Sequence, residues 1–453
     1  MISSLKLDNF KAFEKTGEIT ISPLTVIVGK NSSGKSSILH SFLLLKQTLE
    51  SSNEDAVIAL EGKYLKYSNL SEISHNLPLP QSAAIKFTFG LSAASKKTEI
   101  EIAIKNEKNK ESDDNFHPSI EKIVVSEGRM KFDSSQLSNT SVLKWISKKQ
   151  KFLADFFDDE KYHDPRIKYD HFLPKYLEVR SKDQVKEPFG KMRIPFDLIF
   201  GSASTLNNFR RYIENIRFLS PVRAKPQRAY IHYSDDTADL DEDGGNSAHV
   251  FWGKRNKEVL WLGRKYPLTE AVNLCFDCMG LKQKIKPAQS GNIVYQIKVG
   301  ILGQDKEVTI ADVGFGYSQV IPIILTGLLN TKENLMLIEQ PEIHLHPSSC
   351  ANLADLFLGF VADEKRFIVE THSQDFVNRL RLRVIEDPSL KEKINILFVD
   401  GDLDAKEKIQ QFRIDENGLF PKWPAGFIDE SEKGARALIK ARTSRSMPKN
   451  KLA

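Results

Sequence analysis

Gly29-Lys30-Asn31-Ser32-Ser33-Gly34-Lys35-Ser36, with Ser37 after it, satisfies every fixed position of G-x-x-x-x-G-K-[ST]. The motif follows the apolar run Leu24–Val28 and opens an amphipathic stretch over 36–49, the strand-then-helix setting such a loop needs. Glycines let the backbone turn so that successive N–H groups face inward on phosphate oxygens, and the helix start adds its positive dipole end. Lys35 is placed to reach the β- and γ-phosphates, and the Ser36 hydroxyl to ligate Mg²⁺.

A phosphate loop needs a metal-holding acid at the end of another apolar strand. Leu335-Met336-Leu337-Ile338-Glu339 supplies one, so Glu339 is expected to hold Mg²⁺ directly or through water. The next residue, often a catalytic Glu in such sites, is Gln340, whose neutral amide orients water but cannot take its proton. Glu342 is then the candidate base, with a structural role as the alternative. A second apolar strand, Arg366–Glu370, leads into Thr371-His372-Ser373, where His372 is placed as a γ-phosphate sensor. Asp312–Gln319 is a Gly-rich turn with Ser318 ahead of an apolar helix through Leu329. Lying just before the acidic motif, it suggests an element that contacts the γ-phosphate of a facing subunit; helix capping by Ser318 is the alternative.

Other patterns carry less chemistry. Cys275-Phe276-Asp277-Cys278 has no second C-x-x-C and sits among apolar residues, so a buried helix is expected rather than zinc. Asp239–Gly244 begins like a calcium loop, but position twelve is Val250, where a bidentate Glu is required. His344 and His346 lie between prolines with no third ligand in view, which suggests loop packing or a dimer contact. The basic-aromatic segment Phe209–Arg228 could track nucleic-acid phosphates or form a helix surface with nucleotide-facing arginines; the second is favoured.

These residues need a scaffold, and the chain is long enough for one: 453 residues, 40% hydrophobic and 28% charged, fit a globular protein of several units. A net charge of +5 over this length does not mark a polyanion binder, and three cysteines exclude a disulfide scaffold and fit a reducing cytosol. No apolar run reaches the roughly 20 residues of a membrane span, and Lys6, Asp8 and Lys11 interrupt the N-terminal apolar residues, so neither membrane nor secretion is expected. Ile2–Phe10 reads as an edge strand with Glu18–Ile21 as its hairpin partner. Residues 51–140 read as a β-rich lobe, from the alternation in Ile85–Leu91 and Glu99–Ile104. Residues 141–215, dense in charge with aromatic anchors such as Trp145 and Phe172, read as a helical insertion and a dimer or partner surface. Residues 216–289 connect, 290–430 return to alternating helix and strand, and 431–453 form a basic tail expected to be disordered or to dock a partner.

The order of Asn9-Phe10-Lys11-Ala12-Phe13, the phosphate loop, a long insertion, the Ser318 turn, the Glu339 strand and the His372 strand resembles the ABC-type ATPases of the RecF, SMC and OLD group. The Glu339–Pro347 tract, Glu370–Ser373 with Asn378-Arg379-Leu380, and Trp423-Pro424-Ala425-Gly426-Phe427 resemble a stand-alone prokaryotic branch. Some of its members, such as the Septu type, are anti-phage ATPase subunits paired with a separate nuclease. The likeness covers 1–50 and 290–430 and implies an α/β fold, an ABC-type head with a mixed sheet. It implies ATP and Mg²⁺ as cofactors, and a homodimer or higher oligomer with nucleotide between heads: Lys35, Ser36 and Glu339 from one copy, Ser318 from the other. Lys11 and Phe13 would be adenine- or phosphate-side contacts, and the departure from the family at Gln340 points to slow turnover or to nucleotide binding used as a switch. The function implied is an ATPase that controls a nuclease effector; the alternative is a DNA-binding repair or recombination clamp.

Overall fold

The computed structural model describes residues 1–75, 84–92, 97–108, 116–128, 130–136, 162–181, 191–196, 205–231, 239–291, 293–301, 303–313, 315–401, 408–420, 437 and 439. The Trp423–Phe427 tract, Trp145 and nearly all of the basic tail lie outside them.

Four strands are apolar almost throughout: Leu24–Gly29, Leu335–Glu339, Arg366–Glu370 and Ile394–Val399. Such strands suit a parallel sheet covered on both faces. They form the centre of a six-stranded mixed sheet in the order Arg217–Leu219, Leu335–Glu339, Arg366–Glu370, Leu24–Gly29, Ile394–Val399, Ile409–Phe412, parallel except for the last pair. The Glu370 strand therefore lies between the P-loop strand and the Glu339 strand. In the register, Glu339 pairs with Glu370 and Glu370 with Ile27, so both acids reach the edge where the P-loop begins.

A second sheet is antiparallel, in the order Phe13–Lys15, Ile2–Phe10, Ile85–Ser92, Lys97–Lys108, Phe116–Glu127, Met130–Asp133. Ile19–Thr20 pairs with Ile2–Phe10, as expected of the hairpin. Ile2–Phe10 is not an edge strand, however; Ile85–Ser92 covers its other side, because its apolar face continues that of the β-rich lobe. The P-loop helix, Lys35–Leu49, is buried on nearly every face between the two sheets. Phe42 meets Phe89 edge-on at 5.6 Å between centroids. Helices Phe315–Leu329, Pro347–Ala362 and Gln374–Glu386 pack on the other face of the central sheet, with Phe357, Phe360 and Phe376 in that core.

The expectation of a helical insertion over 141–215 is corrected in part. Its described residues hold a three-stranded antiparallel sheet, Tyr162–Asp170, Leu173–Ser181 and Lys191–Pro195, and one helix, Thr205–Glu214. Leu173, Leu177 and Ile194 are buried, so the dense charge hides a strand pattern with one apolar side. Among the described residues no helix is long and apolar enough to cross a membrane.

Candidate functional site

The loop needs its glycines for two separate reasons. Gly29 and Gly34 have φ of +148° and +104°. A Cβ on Gly29 would lie 2.3 Å from the Val399 carbonyl oxygen, and one on Gly34 would lie 2.4 Å from Ala12 Cβ. Ser32 also takes a positive φ, +61°. The helix then starts at Lys35. Lys35, a residue 4% exposed, folds its ammonium back to donate to the Lys30 carbonyl at 2.7 Å. Burial lowers its pKa, opposed by the Glu370 and Glu342 carboxylates. Ser36 Oγ donates to Glu370 Oε1 at 3.1 Å.

A cavity of about 840 Å³ opens over this loop, within the size range of ligand pockets. Lys11, Asn31, Ser32, Gly34 to Ser37, Gln340, Glu370 and His372 are in its lining. The structure thus brings together the P-loop, Gln340 and His372 as the sequence suggests. Glu339 stands beside Glu370 in register, and burial with Glu370 alongside pushes its carboxyl up to about 7, while Lys11 pulls the other way. Burial also raises Glu370, against the Ser36 hydrogen bond and Lys35. Glu342 does not line the cavity; its Oε1 accepts the His372 backbone N–H at 2.6 Å. Gln340, at φ +42°, donates its N–H to the Glu370 carbonyl at 2.8 Å. Burial, and then Lys35, hold the His372 imidazole below its usual pKa, so it is neutral near pH 7.

Three carboxylate oxygens here, Glu339 Oε1, Glu342 Oε2 and Glu370 Oε2, are buried without a hydrogen-bond partner among the described residues. Buried acceptors of this kind call for a donor or a cation. With the Ser36 hydroxyl next to Glu370, the set fits Mg²⁺, a hard ion held by one or two carboxylates plus substrate phosphates rather than by an all-protein cage. Among the described residues no group of three or more His, Cys, Asp or Glu forms such a cage.

Phe13 and Ser318 are not in the lining of this cavity. Phe13 is 0% exposed and packs beneath the loop, its ring 3.5 Å from where a Gly34 Cβ would be, so it supports the turn instead of meeting a nucleotide. Ser318 is the fourth residue of Phe315–Leu329, not its cap, and is 7% exposed. It lines a separate small cavity with Gly244 and Pro322. Lys11 does face the P-loop cavity, donating to Tyr67 Oη at 2.6 Å and meeting His40 Nδ1 at 2.8 Å. Burial, with Lys11 beside it, drives His40 down to about 3.

Glu370, His40 and Tyr67 are not singled out by the sequence, and Arg223 only as one of the basic residues of the basic-aromatic segment. Glu370 carried a usable signal, since it ends an apolar strand just as Glu339 does. The remaining patterns behave as structural ones. Cys275 and Cys278 lie on helix Leu268–Cys278, the first fully buried. His346 caps helix Pro347–Ala362, accepting the Ser348 N–H. In the basic-aromatic segment Arg210, Arg217 and Arg228 pair with Asp170, Asp239 and Asp312 at 2.8, 2.7 and 2.9 Å.

A family model described as "AAA domain, putative AbiEii toxin, Type IV TA system" matches residues 24–378. No curated protein matches the chain. Among solved structures, the SMC head domain from Thermotoga maritima aligns with 10% identity and a TM-score of 0.39, covering 91% of this chain and 99% of that one. An Smc head bound to the C-terminal winged-helix domain of ScpA aligns with 12% identity and a TM-score of 0.43, covering 92% and 98%. An Smc head with an extended coiled coil, bound to the C-terminal domain of ScpA derived from Pyrococcus furiosus, gives 11%, 0.42, 97% and 99%.

Proposed function

The chain belongs to this AAA-domain family of P-loop ATPases, and from that premise we propose that it traps ATP between two copies of itself and uses the trapped state to control a separate effector, a nuclease, in anti-phage defence. Backbone N–H groups of the loop and Lys35 hold the phosphates. To do so, Lys35 leaves the Lys30 carbonyl that satisfies it in the free chain. Ser36 and Glu370, with Glu339 alongside, would hold Mg²⁺, whose contribution is to neutralise phosphate charge. Gln340 orients the attacking water, and His372 reads the γ-phosphate as a neutral imidazole. Glu342 fixes the His372 turn and is the candidate to take the water's proton. With an amide at position 340, turnover is slow.

One observation carries the two-copy reading. The P-loop cavity collects Lys35, Ser36, Gln340, Glu370 and His372 from one copy, but Ser318 is not in its lining and lies in another cavity. A facing copy would bring its own Ser318 turn to the open side. The toxin–antitoxin words in the family description support a defence role. The ion-paired arginines of 210–228 leave few free cations there for a DNA clamp.

Sedimentation with ATP and Mg²⁺ tests the proposal. The wild-type chain should associate and Ser318→Arg should remain apart; equal association of both removes Ser318 from the interface. Co-purification with the product of a neighbouring nuclease gene supports the effector. A steep salt-dependent DNA shift with no bound nuclease would favour the clamp.

A further inference from the structure

Arg223 is the buried cation that the nucleotide cradle leaves unexplained. It is 6% exposed, on the segment that follows strand Arg217–Leu219. Nη2 donates to the Glu339 carbonyl at 3.4 Å. Nε and Nη1 are buried with no hydrogen-bond partner among the described residues. Burial pulls the guanidinium pKa down to about 10, and the Glu342 carboxylate opposes that pull. Glu342 itself holds the His372 N–H through Oε1, and its Oε2 has no hydrogen-bond partner among the described residues. Arg223 therefore bonds the Glu339 end of the Glu339–Glu342 turn and lies within electrostatic reach of its Glu342 end.

The segment carrying Arg223 is pinned in turn. Ser220 N–H donates to the Glu242 carbonyl at 2.8 Å and Ala224 N–H to the Asp243 carbonyl at 2.9 Å. The same loop presses Gly244 against Pro322; at φ +66°, an added Cβ would lie 2.6 Å from Pro322 Cγ. Pro322 is one turn beyond Ser318 on helix Phe315–Leu329. Packed contacts thus run without a gap from the Ser318 helix, through the acidic loop and Arg223, to the groups that face the γ-phosphate.

We infer that Arg223 is a positioning residue for the Glu339–Glu342 turn, and that the 241–245 loop ties it to the helix carrying Ser318. The inference rests on the nucleotide reading proposed above and adds a regulation to it. Movement of the Ser318 helix by a facing copy is transmitted to Gln340, Glu342 and His372, so hydrolysis is tuned by association.

Steady-state ATP turnover of the full chain tests this, with R223M, R223K, G244A and the R223M/G244A double variant, and a fluorescent ATP analogue to report binding. R223M should lower kcat roughly 10- to 100-fold, the size of effect seen when a supporting partner is removed. KM for ATP should stay within about twofold, since the P-loop is untouched. R223K should recover most of kcat. G244A should lower kcat in the same direction, and the double variant should fall short of the product of the two effects. An unchanged kcat in R223M, a joint loss of binding and kcat that R223K does not rescue, or additive effects would each overturn the inference. If R223M does not fold, wild-type kcat in both R223K and G244A overturns it. Lys35→Ala separates the two levels: turnover that survives it sinks the nucleotide reading itself, whereas turnover abolished by it and retained in R223M sinks only the role of Arg223.

Discussion

Ser36 donates its hydroxyl hydrogen to Glu370 Oε1 across 3.1 Å, joining the first turn of the P-loop helix to the end of a strand 334 positions later. Glu339, the acid the sequence points to, sits one strand further out. Of the two, Glu370 is closer to the Ser36 hydroxyl. Glu370→Gln should raise the Mg²⁺ concentration needed for nucleotide binding by roughly 10-fold or more, the order of effect found at tuned metal sites. Glu339→Gln should do so by less. A Mg²⁺ titration of fluorescent-ATP binding that ranks them the other way returns the principal role to Glu339.

The Glu339 carboxyl, pushed up to about 7 by burial and by Glu370, gives a pH signature. Its pKa in the folded chain lies above the unfolded value, so the folded state holds the extra proton between roughly pH 4.5 and 7. Stability of the nucleotide-free protein should therefore fall as pH rises through that window, and Glu339→Gln should flatten the fall. Nucleotide with Mg²⁺ needs the ionised form, so its stabilising effect should be larger at pH 8 than at pH 6. Thermal unfolding at the two pH values, with and without ligand, checks both signs.

Glu342 bonds the His372 N–H instead of lining the cavity, which lets the size of a defect decide its role. Glu342→Gln should slow turnover. A loss of about 100-fold or more, with the acidic limb of the pH–rate profile gone, marks a general base; a loss near 10-fold with the profile kept marks a support for His372. Gln340→Glu, which places a proton acceptor in the cavity wall, should speed turnover. Single-turnover hydrolysis separates these outcomes from changes in product release.

Gly34→Ala puts a methyl group against Ala12 in a backbone that disfavours any side chain. It should cost on the order of 1–3 kcal/mol and abolish nucleotide binding, whereas Gly303→Ala, also at positive φ but with open space around it, should spare binding. Denaturant unfolding and nucleotide titration read the two effects apart.

The phosphate loop could be read from the chain because its chemistry is local: the fixed glycines, Lys35 and Ser36 are adjacent and framed by a strand and a helix. Glu370 could not be ranked against Glu339 in that way. Both end apolar strands, and only the order of strands in the sheet decides which lies beside the loop. Phe13 is expected at the nucleotide only through the family resemblance, whereas the turn at Gly34 needs an apolar floor, which Phe13 supplies. Over 162–196, charged residues on the outer side mask the inward Leu173, Leu177 and Ile194, and mixed charge was read as helix where alternation was the better guide.

The P-loop strand, among the earliest segments of the chain, is hydrogen-bonded on one side to Arg366–Glu370 and on the other to Ile394–Val399. A ribosome must therefore deliver most of the polypeptide before Leu24–Gly29 has either neighbour. Until then this apolar ribbon waits with unpaired edges, which makes long-range pairing a slow and aggregation-exposed step of folding. A product truncated before the Glu370 strand would lack the carboxylate that meets Ser36 and would leave the Leu24–Gly29 edges unpaired, and so be prone to clump.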